Sequence, residues 1–313
     1  MEFLTDPFQL SFMQRGLLAG LLAGLSCGIV GVWVVVRRVA LIGDALAHGI
    51  IPGVAIAYLL GAALPLGAAI SGALMVLGVR AASNLRRVGE DTGIGLLFAG
   101  MLALGVLIIS RSRSFATDVS HILFGDPLGV GQADLILAGA TAAFVLLTAA
   151  LGHRAFVALS FDARKAQMLG LRPGVARTVV LLLVAATIVA SFQAVGALLV
   201  FALLVAPAAT AGLLVRRAST MMVLAVLLSW SAVVIGMVAS YHYSLATGAA
   251  IAMTAVLQFF LVAVIDLLRL RRRGRAIRTN GNGNEYQVRS RSEVAVPSGP
   301  LAESTRIDGK APL

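Results

Sequence analysis

Between residues 12 and 268 the chain alternates long apolar runs with short polar clusters. A helix that crosses the hydrocarbon core of a bilayer needs about 20 mostly apolar residues. Runs at 12–36, 39–60, 62–79, 92–110, 132–152, 174–192, 194–214, 218–239 and 247–268 approach or exceed that length. The pattern predicts an all-α, polytopic integral membrane protein with nine transmembrane helices, or eight if one stretch dips in and returns. The limits of the second and third runs, and the boundary between the sixth and seventh, are the least sharply marked. Residues 1–11 form a short N-terminal segment, and residues 12–268 form the membrane domain.

The polar clusters set the direction. Arg37-Arg38, Arg80/Arg86/Arg87, Arg154/Arg164/Lys165/Arg172, Arg216-Arg217 and Arg269–Arg278 occupy alternate connections. With nine spans all five clusters share one side, which the positive-inside rule makes the cytoplasm. The N-terminus then lies outside and the C-terminus inside. Eight spans would put both ends on one side.

Composition sharpens this reading. Hydrophobic residues make up 59% of the 313, and 33 more are glycine; only 12% are charged, against about 25% in soluble domains. A soluble enzyme, a nucleic-acid-binding domain and a disordered chain are excluded as descriptions of the whole. The formal net charge of +11 does not imply a nucleic-acid partner. From Arg269 onward ten Lys/Arg face four Asp/Glu, so much of the excess belongs to one end. Residues 269–313, with the run Asn280-Gly281-Asn282-Gly283-Asn284, are expected to form a basic, disordered cytoplasmic tail. Its arginines could touch anionic headgroups. The single Cys27 precludes an intramolecular disulfide or a cysteine metal cage. The first apolar run is long and lacks an A-x-A-like cleavage site, so it is expected to be a retained span.

Gly16, Gly20, Gly24 and Gly28 recur every four residues along the first run. In a membrane helix this spacing makes a smooth ridge for close backbone approach, either inside the bundle or at a subunit interface.

Polar residues inside apolar runs carry the candidate chemistry. Asp44 and His48 lie four apart in the second run, hence on one helical face, separated by about 6 Å of rise. If the helix enters from the cytoplasm near Val39, they lie about 8 and 14 Å deep. An Asp at mid-helix costs about 2.5–3.5 kcal/mol on insertion scales, and such residues normally mark an ion or substrate route. A carboxylate with an imidazole suits Zn²⁺, Mn²⁺ or Fe²⁺. The same pair could relay protons, or hydrogen-bond merely to lock the helix. Pro52 and Gly53 just beyond would loosen the helix and release carbonyls.

Other polar residues are less specific. His121, in Asp118–Asp126, fits either a metal ligand at the external mouth or a local hydrogen bond. His153 and His242 are expected in solvated loops. Asp134 and Asp266 lie near helix ends, where capping or a charge pair suffices, and Arg15 can snorkel. The segment Phe161–Leu171 alternates apolar and charged residues. It reads equally as an amphipathic helix on the membrane surface or one docking on a soluble partner. Lys165 and Lys310 are the only lysines, and neither ends a G-x-x-x-x-G-K-[ST] loop, so the chain has no Walker A motif. It also has no H-E-x-x-H, which removes the usual zinc-hydrolase signature.

The string Val35–Ala55, containing Arg37-Arg38, Gly43-Asp44-Ala45-Leu46-Ala47-His48-Gly49 and Pro52-Gly53, resembles the signature of the zinc/manganese/iron ABC importer permeases. Glu90–Gly100, Ser120–Gly129 and Leu198–Ala211, with its Val-Ala-Pro-Ala-Ala-Thr core, match in order. The resemblance covers about residues 10–268. It implies a permease subunit of a bacterial inner (plasma) membrane that dimerises, pairs with cytoplasmic ABC ATPase subunits and receives metal from an extracytoplasmic binding protein. Members usually have about eight spans. Asp44 and His48 match the pair that lines the metal route. Residues 154–173 match the cytoplasmic coupling segment, with Phe161, Asp162, Ala166, Met168, Leu169 and Gly170 as the ATPase-coupling residues. Ala163-Arg164 stands where a Pro-Glu pair is expected. The chain is then a transport subunit, not an enzyme, holding no permanent cofactor. Divalent metal, zinc or manganese and possibly iron, is its cargo, ATP is hydrolysed on the partner, and no nucleic acid takes part. The competing class is a proton-coupled secondary metal transporter or channel. A membrane metalloenzyme would need a third ligand and a nucleophile that the sequence does not offer.

Overall fold

A computed structural model describes residues 11–83, 90–110, 129–161 and 173–292. The membrane unit runs to Ala263. Its helices are α1 (Ser11–Val36), α2 (Ala40–Gly49), α3 (Ile51–Leu59), α4 (Leu64–Ser83), α5 (Glu90–Ile109), α6 (Gln132–Phe161), α7 (Pro173–Val195), α8 (Ala197–Leu214), α9 (Ala218–Tyr243) and the start of α10 (Thr247–Ser292). The described residues contain no strand.

Three tight helix ends explain why consecutive helices double back. After α1 the Val39 N–H bonds the Val34 carbonyl and the Arg38 N–H the Val35 carbonyl, both at 3.0 Å. Those two bonds are the Schellman pattern. It requires a left-handed residue, and Arg38 takes that conformation at φ 57° although it is not glycine. Gly61 (φ 66°) ends α3 and Ser244 (φ 51°) ends α9 in the same way, with Ala62 bonding Ala57 and Leu245 bonding Ser240.

α1 is the axis of the bundle. Its glycine ridge is an internal seam: Gly20, Gly24 and Gly28 lie against Val233, Ser229 and Val226 of α9. Residue numbers rise on one helix as they fall on the other, so the pair is antiparallel. On another side Cys27 faces the Val200 carbonyl, Gly31 faces Leu204, and Val32 clusters with Ala208 and Ala211. Here both numbers rise, so α8 runs parallel to α1. α6 is also parallel, with Gly139 beside Leu22 and His153 beside Trp33.

Eight helices are long and apolar enough to cross a membrane among the described residues, counting Ala40–Leu59 as one span. The ninth expected run, 194–214, is the short one. It forms the 18-residue α8, about 27 Å long against a hydrocarbon core of about 30 Å. Burial explains how a short helix is accommodated: Leu199, Val200, Leu203, Leu204, Ala208 and Ala211 are all at most 2% exposed, so α8 meets protein more than lipid. Its direction brings Arg216-Arg217 to the end of the bundle occupied by Val36 and His153, as the alternating charge pattern requires. Epitope tags at the two termini are therefore expected on opposite faces of the membrane. Tags reporting one common face would remove α8 from the crossing helices.

One expectation needs adjustment. His153 does not lie in a solvated loop: α6 continues past 152 to Phe161, and the His153 ring packs edge-on against Trp33 at 5.8 Å. α10 is helical as far as Ser292. The apolar start of α10 supplies the costly nucleus, and each further residue then adds a hydrogen bond at little cost. Asp134 acts as a cap, its Oδ2 accepting the Gly131 N–H at 3.0 Å. His242 is in the last turn of α9, edge-on to Tyr241 at 5.3 Å.

Candidate metal route

The second apolar run is broken where Pro52 demands it. Proline has no N–H to give the carbonyl four residues earlier, which belongs to His48; the Ile50 N–H bonds that carbonyl instead. α2 ends at Gly49 and α3 starts at Ile51 with Pro52 in its first turn. Ser71 of α4 donates its hydroxyl to the buried Gly49 carbonyl at 2.7 Å. Close contact between Gly53 and the Gly67 carbonyl, with Gly67 against the Gly53 carbonyl, fastens α3 to α4. The loosened helix expected from Pro52 and Gly53 is thus a defined joint, held by a side chain from a neighbouring span.

On α2 most faces are covered. Ile42, Gly43, Ala45, Leu46, Ala47 and Gly49 are buried, with Gly43 against Leu204 and Phe201 of α8. The remaining stripe is Leu41, Asp44 and His48, at i, i+3 and i+7. Leu41 is 69% exposed, and the Asp44 and His48 side chains are 34% and 15% exposed. His48 Nε2 lies 3.5 Å from Asp44 Oδ1, too long for a strong hydrogen bond. The pair is brought together without being tied together. Phe98 of α5 packs edge-on to the imidazole at 5.4 Å, and His48 Nδ1 is buried without a hydrogen-bond partner among the described residues.

The pair is not a closed, buried lock: the two atoms stay 3.5 Å apart, and the Asp44 side chain keeps a third of its surface exposed. A carboxylate at this depth cannot rest against lipid tails without penalty; it needs protein or a water-filled path. No group of three or more His, Cys, Asp and Glu assembles among the described residues. The described residues therefore bring together at most this pair of potential ligands, where divalent transition metals usually take four or more.

His121, Asp162, Ala166, Met168, Leu169 and Gly170 lie outside the described residues, and Phe161 is the last residue of α6. Phe98 was not singled out as part of the site, although it falls within the Glu90–Gly100 stretch. An aromatic residue in an apolar run has no signal of its own; only its contact with His48 reveals it. A second such feature is the N-terminal end of α2, where Arg37 and Arg177 flank Val39, Ile42 and Gly43. Burial, and after it the nearby Arg177 guanidinium, lower the pKa of Arg37 from the ordinary arginine value.

A bundle of membrane-spanning helices with a paired carboxylate and imidazole on an open intramembrane stripe defines a multi-pass transport protein. The chain matches the ABC 3 transport family over residues 9–266 and belongs to it. It is 37% identical over 261 residues to the manganese transport system membrane protein MntC of Listeria monocytogenes, covering 83% of this chain and 93% of that one. It is 38% identical over 266 residues to the chelated iron transport system membrane protein YfeD of Yersinia pestis, covering 84% and 88%. Among solved structures, PsaBC from Streptococcus pneumoniae, in complex with Fab, superposes with a TM-score of 0.76 at 30% identity, covering 83% of this chain and 94% of that one. An inward-facing metal-chelate type ABC transporter shares the fold, with a TM-score of 0.67 at 16% identity, covering 80% and 85%. The chain is accordingly an ABC transporter permease, a transport subunit for metal.

Proposed function

We propose that this chain is the permease of an ATP-driven importer of divalent manganese or iron in a bacterial plasma membrane, working as a homodimer. The observation that carries the proposal is the uncovered Leu41–Asp44–His48 stripe. Two copies apposed along it bring two carboxylates and two imidazoles to one place and complete a four-ligand set. Each ligand is hard or borderline, a set that accepts Mn²⁺, Fe²⁺ and Zn²⁺ alike. The named functions of MntC and YfeD favour manganese and iron, and zinc is the alternative that an elemental assay decides.

Import requires that such a site bind only transiently, because a closed cage would trap the ion. A binding protein delivers metal to the external mouth; Asp44 and His48 accept it as it sheds water; movement of the helices then opens the inner side. The break at Ile50, two residues beyond His48, is where α3 can move relative to α2 while Gly53 and Gly67 keep it fastened to α4. ATP is hydrolysed on separate cytoplasmic subunits, which dock on residues 161–171.

The test is metal accumulation in cells lacking other manganese and iron uptake. Accumulation is expected only when the chain is expressed with its ATPase and binding protein, and it should persist when the proton gradient is collapsed at constant ATP. Replacing Met168 and Leu169 with Asp should abolish ATPase co-purification and uptake together. Uptake by the chain alone, driven by the proton gradient, would establish the secondary-transporter reading instead.

A further inference from the structure

α1, α6 and α9 leave a groove whose lining includes neither Asp44 nor His48. Its apolar part has a volume of about 560 Å³ and is walled by Leu25, Ile29, Leu146, Val226 and Trp230. It meets a second cavity of about 360 Å³ lined by Trp33, His153, Arg216 and Arg217. His153 and Ser219 border both, so the two lie side by side. The groove is greasy at one end and cationic at the other.

Its position gives that polarity a meaning. From Trp230 to Ser219, eleven residues of α9, the groove extends about 16 Å along the helix, close to the depth of one leaflet's hydrocarbon. The cationic end coincides with the charge cluster assigned to the cytoplasm. Arg216 and Arg217 are both exposed, and no ion pair joins either to a described residue. Deeper in, the Trp33 ring is 1% exposed, yet its indole N–H has no acceptor among the described residues. Buried donors are nearly always satisfied. A ligand lying over Trp33 would need an apolar tail, an acceptor oxygen near the interface and an anionic group beyond it.

We propose that this groove is a binding site for an anionic glycerophospholipid of the cytoplasmic leaflet. One acyl chain lies between Leu146 and Val226, and the phosphate sits between the Arg216 and Arg217 guanidiniums. An ester or phosphate oxygen accepts from the Trp33 N–H or from His153. Basic pockets between helices on the cytoplasmic side are suited to such headgroups. Charge complementarity selects a lipid over a second copy of the chain, which would bring its own arginines to the same end.

The complex, carried in nanodiscs of equal phosphatidylglycerol and phosphatidylethanolamine, is released for native mass spectrometry. The wild type should retain phosphatidylglycerol in clear preference. Replacing both arginines, Arg216→Gln with Arg217→Gln, should reduce that retention about tenfold or more. Ala150→Trp, which fills the groove and leaves the arginines, should remove bound lipid of both kinds. Equal retention of the two lipids by the wild type overturns the proposal without any variant. Unchanged retention in the double arginine variant overturns it too. So does efficient disulfide formation between copies through Leu227→Cys, which would make the groove an interface between subunits.

Discussion

Asp44→Ala and His48→Ala are each expected to reduce metal accumulation to background, at least about 100-fold, while the complex still assembles. A change in a metal site's outer shell already costs about 10–100-fold in affinity or activity, and in the proposed route these two residues are the ligands themselves. Loss of one from each copy halves the donor set in a place where water cannot freely replace it. The fold should tolerate both changes. The side chains are 34% and 15% exposed, their mutual contact of 3.5 Å contributes little, and Ala is the best helix former. Leu41→Ala, on the same stripe but offering no ligand, should leave accumulation close to normal. Inductively coupled plasma mass spectrometry of washed cells measures the outcome. Normal accumulation in both alanine variants would remove the pair from the route.

The residues that the sequence marked and those it missed differ in how their signals arise. Asp44 and His48 stand out because a charge in an apolar run is costly, and cost is visible one residue at a time. Helix existence was legible for the same reason, since twenty apolar residues need no partner to be recognised. What escaped was anything set by two distant segments. Phe98 looks like any other aromatic residue in a span until α5 is laid along α2. His153 looked like the start of a loop because the charge that follows it, Arg154, breaks the apolar run, yet α6 holds its form to Phe161. The choice between eight and nine helices turned on α8, whose length alone was ambiguous. Its pairing with α1, Val200 to Cys27 and Leu204 to Gly31, supplied the direction that length could not. The glycine ridge shows both sides of this limit: spacing predicted a close approach, and only the contacts named α9 as the helix that makes it.

That close packing predicts the largest effect on stability, at Gly31 rather than on the ridge itself. A Cβ built at Gly31 would fall on the Leu204 carbonyl oxygen and come within 3.2 Å of the Ala208 Cβ. The obstacle is backbone, which cannot turn aside as a side chain can. Gly31→Val must therefore push α8 away from α1, and overpacking of this kind costs about 1–3 kcal/mol or more. Lipid offers no compensation, because helix association in a bilayer rests on such contacts between small residues. The displacement also reaches the metal route, since Leu204 and Phe201 of α8 are the contacts that hold Gly43, next to Asp44. Gly31→Val is thus expected to lower the thermal unfolding midpoint by about 5–10 °C and to impair uptake as well. Gly139→Ala supplies the comparison: its nearest neighbour beyond its own helix backbone is Leu22 Cδ1 at 4.0 Å, so the added methyl fits and helix propensity improves. Its midpoint should stay level or rise slightly. Equal midpoints for the two variants would mean that α1 and α8 are not in backbone contact, and would remove the support for α8 as the helix that fixes the position of Asp44.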